Sequence, residues 1–159
     1  MSEQDTRRQL IDPKLKEAGW EVVEGSRIIT ERYFTNGRLT QSGRQAKSRY
    51  DYVLIYKNVK LAVVEAKKSG MSYSDAVGQV KDYNEQLKLP FAYATDGHDI
   101  REMHYVNDAC HEKDVEAFPS PEEMYNKAFP ENSEVENALT QIPFNKSGGK
   151  EPRYYQELA

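Results

Sequence analysis

The sequence predicts an α/β domain in which a mixed central β-sheet is flanked by helices. Three observations predict it. Residues 3–18 carry Leu10, Ile11, Leu15 and Ala18 at roughly helical spacing. Two continuous apolar runs, Leu61-Ala62-Val63-Val64 and Phe91-Ala92-Tyr93-Ala94-Thr95, are of the buried-strand type. Between them Ala76, Val80, Tyr83 and Leu87 share one stripe of an amphipathic helix. A chain of 159 residues fits one domain of ordinary size, and 38% apolar residues suffice for a core, at the low end of the usual range.

The elements follow in order. Asp12-Pro13 suits an N-cap and a first-turn proline, so residues 3–18 form either two short helices or one kinked helix. Gly19 stops the helix, and Trp20-Glu21-Val22-Val23 is expected to begin a strand. Tyr33-Phe34 and Leu39 flank Asn36-Gly37, a strong hairpin signal. Residues 41–48 are polar and read as a loop. Tyr50 to Tyr56 is β-prone, and Lys57-Asn58 turns the chain into the run 61–64. Ser69-Gly70 ends that strand, and Ser72 or Ser74 can cap a helix reaching about Leu87. Pro90 closes the helix, Phe91–Thr95 is the second buried strand, Asp96-Gly97 turns, and Ile100 to Val106 pairs back. After Asn107 the pattern weakens, except for a short helix over Pro121–Phe129. Residues 143–153 have linker composition, and Tyr154–Ala159 begins a helix with nothing to pack on. The sequence is therefore expected to be part of a longer protein.

Composition narrows the function. The formal net charge is -4, which does not suit a purely electrostatic nucleic-acid binder. Contact with DNA would need a local basic patch, a metal ion or partner domains. One cysteine, Cys110, excludes an internal disulfide. No signal peptide or run of membrane-spanning length is visible, so a soluble, cytoplasmic protein is expected.

The chemistry concentrates at 49–67. Asp51 starts one strand, and Glu65, Ala66 and Lys67 end the next. The tight turn makes these strands antiparallel neighbours, so Asp51 and Glu65 can meet at one sheet edge. Glu65 and Lys67 share a face, and Ala66 points to the core. Two adjacent carboxylates repel unless a cation lies between them. Hard oxygen ligands with no Cys or His nearby select Mg²⁺ or Mn²⁺ over zinc. Such a metal activates water and stabilises phosphate charge, and Lys67 can hold the hydroxide or the phosphate oxygens. An Asp, a Glu and a Lys so spaced also occur on ordinary sheets. Two features favour catalysis: the charges stand where a core strand emerges, and the following helix carries Gln79 and Tyr83 at i, i+4.

At these residues the sequence resembles a known family. Asp51…Glu65-Ala66-Lys67 is similar to the PD-(D/E)xK nuclease motif. Gln79-Val80-Lys81-Asp82-Tyr83 resembles the QxxxY motif of RecB-like nucleases and type I restriction enzymes. Thr6-Arg7 with Leu10-Ile11-Asp12, Ala18-Gly19-Trp20, Asp51–Leu54, Ala62–Lys67 and Phe91–Gly97 resemble the opening of the motor (R) subunit of type I restriction–modification enzymes. The resemblance covers about residues 5–106 closely and the rest loosely. Arg153-Tyr154-Tyr155-Gln156 resembles the adenine-reading glutamine motif just before the helicase motor, but the phosphate loop that should follow is absent.

The resemblance implies a restriction-endonuclease-like fold and Mg²⁺-dependent cleavage of double-stranded DNA, with Mn²⁺ as a substitute. It implies Asp51 and Glu65 as metal ligands with the Ala66 carbonyl as a third, and Lys67 as the catalytic lysine. Gln79 and Tyr83 would orient the site or contact the DNA backbone. Residues 1–142 would be the nuclease domain, and 143–159 a linker and the truncated start of a helicase motor. ATP would serve only the full-length subunit. Methylase and specificity subunits would be partners, and no membrane. Two departures stand out. Tyr50 replaces the motif's proline, and the glutamate that many members carry in the first helix would have to be Asp5 or Glu3. Two rivals remain: a stand-alone nuclease of this fold in repair or another restriction class, and a non-catalytic docking module for motor or methylase. Arg44, Lys47 and Arg49 could hold phosphate or form a solvated basic loop. His98, His104, His111 and Cys110 lack partners at useful spacing and read as structural.

Overall fold

The two-residue turn at Lys57-Asn58 sets the centre of the sheet. Both residues have positive φ, 50° and 61°, the geometry that matches the twist of a tight hairpin. It joins β3 (Ser48–Tyr56) to β4 (Val59–Ala66) with Tyr52 opposite Val64. A computed structural model describes residues 1–35, 38–40, 48–72 and 74–130. For residues 31–35, 38–40, 48–49, 83 and 86 it describes the backbone. The chain divides into two units, Met1–Ala128 and Phe129–Ala159, and the sheet with its helices belongs to the first. The expected boundary at residue 142, the linker at 143–153 and the glutamine motif at 153–156 lie outside the described residues. So do the hairpin tip Asn36-Gly37, the loop residues Arg44 and Lys47, and the side chain of Arg49.

Among the described residues, seven strands form one sheet in the order β2-β1-β3-β4-β5-β6-β7. β1 (Ser26–Thr35) and β2 (Arg38–Thr40) are the arms of the expected hairpin at Asn36-Gly37, with Thr35 opposite Arg38. β4 runs parallel to β5 (Phe91–Thr95), and α3 (Ser74–Leu87) makes the crossover between them. β6 (Ile100–Val106) and β7 (Ala109–Val115) complete the sheet in antiparallel fashion. One parallel pair among antiparallel ones makes the sheet mixed, as the sequence predicts.

Each face is covered. Ala76 and Val80 of α3 pack on Val53, Ile55, Val63, Ala92, Ala94 and Met103. On the other face Tyr52 donates to Asp12 at 2.6 Å, and Tyr56 donates to Glu122 of α4 (Pro121–Ala128), also at 2.6 Å. Tyr93 meets Phe118 edge to face. Ser72 Oγ accepts the Ser74 N–H at 3.3 Å where α3 starts.

The N-terminal segment is one continuous helical run whose bonding changes midway. α1 (Glu3–Thr6) passes into a π-turn, Arg7–Ile11, and then into α2 (Asp12–Glu17). The Asp12 N–H reaches back to the Arg7 carbonyl. Pro13 explains the widening. It has no N–H to donate, and its ring crowds the carbonyl four residues earlier.

Two expectations change. Trp20–Val23 is a turn, not a strand. Gly19 (φ 106°) and Glu21 (φ 65°) reverse the chain, and the N–H groups of Val22 and Val23 both bond to the Gly19 carbonyl. Trp20 is fully buried and donates through Nε1 to the Pro119 carbonyl, so burial rather than strand pairing places it. β7 lies where the pattern weakens. Ala109 to Asp114 are exposed, so an edge strand bears no apolar alternation to read.

Candidate active site

One further step along the β3–β4 register brings Asp51 beside Glu65. The Ala66 N–H donates to Asp51 Oδ2 at 2.8 Å, which ties the acid to the emerging end of β4. The Lys67 N–H donates to the Thr95 carbonyl at 2.8 Å, so β5 guides the chain one residue past β4. Lys67 Nζ then lies 3.7 Å from Glu65 Oε1 and donates to Gln79 Oε1 at 2.8 Å. Gln79 stands in the second turn of α3, so the crossover helix delivers a positioning contact to the strand it follows. Asp51, Glu65, Lys67 and Gln79 are therefore brought together. Tyr83 lies in α3, but its side chain is outside the described residues.

The electrostatics are those of an acid pair short of positive charge. Burial, then the Asp51 carboxylate, pushes Glu65 up to about 8, with Glu3 adding to the rise and Lys67 opposing it. Glu65 Oε2 is buried and has no hydrogen-bond partner. Buried carboxylate oxygens are ordinarily satisfied.

The first helix faces this edge. Asp5 is committed to capping. It accepts from Ser2 N at 3.0 Å and Ser2 Oγ at 2.6 Å, which holds it below the ordinary carboxylate range. Glu3, not Asp5, is the helix acid whose charge acts on Glu65. Sequence reasoning assigned no role to Arg7. Its Nη1 lies 3.2 Å from Asp51 Oδ1, and its guanidinium carbon is 5.3 Å from the Tyr52 ring centroid. The two partners are 44 residues apart in sequence, and no spacing rule joins them. The helix is clasped by Thr6 Oγ1, which accepts the Ser69 N–H at 3.1 Å, and by Gly97, against which Leu10 packs.

The histidines and Cys110 lie apart from this edge. The His98 N–H bonds Asp96 Oδ1 in a turn, His104 stacks on Phe91 at 4.3 Å, and His104 pairs with His111 across β6 and β7. Cys110 is exposed. It helps line a cavity of about 770 Å³ with Lys81, Lys88 and Tyr105, and none of Asp51, Glu65 and Lys67 reaches it. Size does not mark the site here; chemistry does.

The residues fit a divalent cation. All donors are oxygens, Glu65 Oε2 is buried and unsatisfied, and a cation would relieve the repulsion that raises Glu65. No group of three or more His, Cys, Asp or Glu side chains able to hold a metal occurs among the described residues. A metal there would rest on Asp51, Glu65 and backbone or water oxygens. No helix among the described residues is long and apolar enough to cross a membrane.

Comparison with known proteins points the same way. Residues 34–109 match the family model described as type I restriction enzyme R protein N terminus. The endonuclease subunit of the type I restriction enzyme EcoAI from Escherichia coli is 30% identical over 168 aligned positions. That alignment spans 98% of this chain and 20% of the subunit. A solved fragment described as an HsdR subunit of a type I restriction enzyme from Vibrio vulnificus YJ016 superposes with a TM-score of 0.70 at 35% identity. It covers 89% of this chain and 28% of that one. The chain thus spans about a fifth of the curated relative it matches. By sequence and by fold alike, the chain is similar to the N-terminal part of type I restriction enzyme R proteins.

Proposed function

We propose that this domain is the nuclease of its R subunit and hydrolyses phosphodiester bonds of double-stranded DNA with Mg²⁺, Mn²⁺ serving as a substitute. One observation carries the reading: a buried, unpartnered Glu65 oxygen beside Asp51, with Lys67 held alongside by Gln79. Asp51, Glu65 and the Ala66 carbonyl would hold the ion. A divalent ion so bound lowers the pKa of a water and acts as a Lewis acid toward phosphate. Lys67 supplies a fixed positive charge for the phosphate oxygens, and Gln79 fixes its direction. Tyr83 is assigned to the same helix face. ATP would serve a motor beyond this domain. Methylase and specificity subunits would supply the recognition sequence, and the cytoplasm is the expected compartment.

The test uses the complete R subunit assembled with its methylase and specificity partners. Asp51→Asn, Glu65→Gln and Lys67→Ala should each abolish DNA cleavage while ATP hydrolysis and translocation persist. Normal cutting by the Asp51 or Glu65 variant overturns the reading. Saturating Mn²⁺ should also raise the stability of this chain, by about 2.7 kcal/mol at a hundredfold excess over Kd, and Asp51→Asn should lose that gain.

A further inference from the structure

We propose that Arg7 is an internal counter-cation for Asp51, a positioning residue that a divalent ion must displace before the site becomes active. The inference rests on the nuclease reading above and deepens it. Asp51 is buried and meets the protein through both oxygens: Ala66 N–H on Oδ2 and Arg7 Nη1 on Oδ1. The Oδ2 bond comes from the backbone of β4 and cannot leave without breaking the strand edge. The Oδ1 bond comes from a side chain and can. Oδ1 is therefore the oxygen that a metal shared with Glu65 would take.

Three observations make the exchange feasible. The Arg7 side chain is 12% exposed and the Asp51 side chain 7%, so the pair is shielded from water and strong enough to compete with an ion. The guanidinium leans on the Tyr52 ring, and the Tyr52 hydroxyl is pinned by Asp12 of α2. That gives it a second resting surface on its own side of Asp51. A cleft of about 340 Å³ opens there, lined by Gln4, Arg7, Arg8, Asp12, Thr30 and Tyr52. A displaced Arg7 would face this cleft with Arg8 beside it, a two-arginine surface suited to a DNA backbone phosphate. Metal entry would thus both arm the carboxylates and free a phosphate ligand.

A purely structural ion pair makes the opposite forecast for metal binding. Loss of a structural partner would loosen Asp51 and weaken metal binding. Loss of a competing cation strengthens it. Isothermal titration of the chain with Mn²⁺ should therefore show Arg7→Gln binding at least about tenfold tighter than wild type, with Arg7→Lys between the two. Arg7→Gln should melt lower than wild type without metal and regain the difference with it. In the wild-type chain, the Arg7 side-chain nitrogen resonances should shift on Mg²⁺ addition, which tests the exchange without any substitution. Unchanged or weaker Mn²⁺ affinity in a folded Arg7→Gln chain overturns the proposal, as do Arg7 resonances indifferent to Mg²⁺. If the wild-type chain binds Mn²⁺ through Asp51 while Arg7 proves inert, the inference about Arg7 fails alone. If neither wild type nor Arg7→Gln binds Mn²⁺, the metal-site reading fails with it.

Discussion

Gly97→Ala should unseat the first helix, and the geometry allows the cost to be divided. Gly97 has φ of +91°, and a Cβ built on it would lie 2.7 Å from Leu10 Cβ, 2.8 Å from Leu10 Cδ1 and 3.1 Å from Thr6 Cγ2. The Cδ1 contact can rotate away. The Cβ contact cannot, because that atom is fixed to the helix backbone, so the helix itself must move. Gly70 is the control. Its φ is +80°, and an added Cβ would meet nothing within 4 Å. Both substitutions cost about 1–2 kcal/mol for a left-handed backbone, partly offset by about 0.4–1 kcal/mol of lost freedom in the unfolded chain. Gly70→Ala should therefore cost about 1 kcal/mol. Gly97→Ala adds overpacking of about 1–3 kcal/mol, for a total of roughly 2–4 kcal/mol. Urea denaturation at constant m-value reads both. Two variants within about 0.5 kcal/mol of each other would refute the claim that close helix packing, rather than backbone conformation, is what Gly97 protects.

Contacts at the site and in the core set three further expectations. Gln79 is exposed and its role is to hold Lys67, so Gln79→Ala should lower DNA cleavage while stability stays within about 0.5 kcal/mol of wild type; full activity would remove it from the site. Tyr93→Phe deletes the buried 2.8 Å bond to Glu102 Oε2 and leaves that carboxylate less well satisfied, so it should destabilise by about 1–3 kcal/mol in the same denaturation assay. No loss would show that water or Lys113 replaces the hydroxyl. Burial holds His104 below its usual 6.5, with Lys127, His111 and Lys113 acting the same way and Glu102 opposing. The folded state thus binds this proton less readily than the unfolded chain. The His104 contribution is complete above 6.5 and is lost as pH falls through the depressed folded value. Denaturation midpoints taken from about pH 7.5 to about pH 5 should fall, and less steeply in His104→Gln. Equal slopes would assign the dependence to other groups.

Much of the sheet is legible in the sequence, because its inner strands are buried on both faces. Leu61–Val64 and Phe91–Thr95 are unbroken apolar runs for that reason, and every residue of β5 is buried. β7 has one face to cover and an open edge, so Cys110-His111-Glu112-Lys113 reads as loop. The run Trp20–Val23 misleads in the other direction. Its apolar residues serve a turn that plugs Trp20 into the core, and Val22 is exposed. Within the site, Asp51, Glu65, Lys67 and Gln79 are legible because each sits at a fixed offset along two strands and a helix. Arg7 is not, because its place depends on where a separate helix lands. Asp5 and Glu3 can be told apart only once the Ser2 cap is visible.

The π-turn at Arg7–Ile11 gives the first helical segment one residue of slack. An α-helix advances about 100° and about 1.5 Å per residue, and a π-turn carries one residue more in its hydrogen-bonded loop than an α-turn does. Excising Arg8 or Gln9 would take up that spare residue, because the Asp12 N–H would still find the Arg7 carbonyl, now four residues back. Both flanks would stay in phase: Ile11 and Leu15 in the core, Thr6 at Ser69 and Arg7 at Asp51. A residue excised between Ile11 and Leu15, where the turns are α-helical, meets no such slack, and everything before it would be rotated by about 100° relative to Leu15. Thr6 would then leave Ser69, and Arg7 would turn away from Asp51, in a single step.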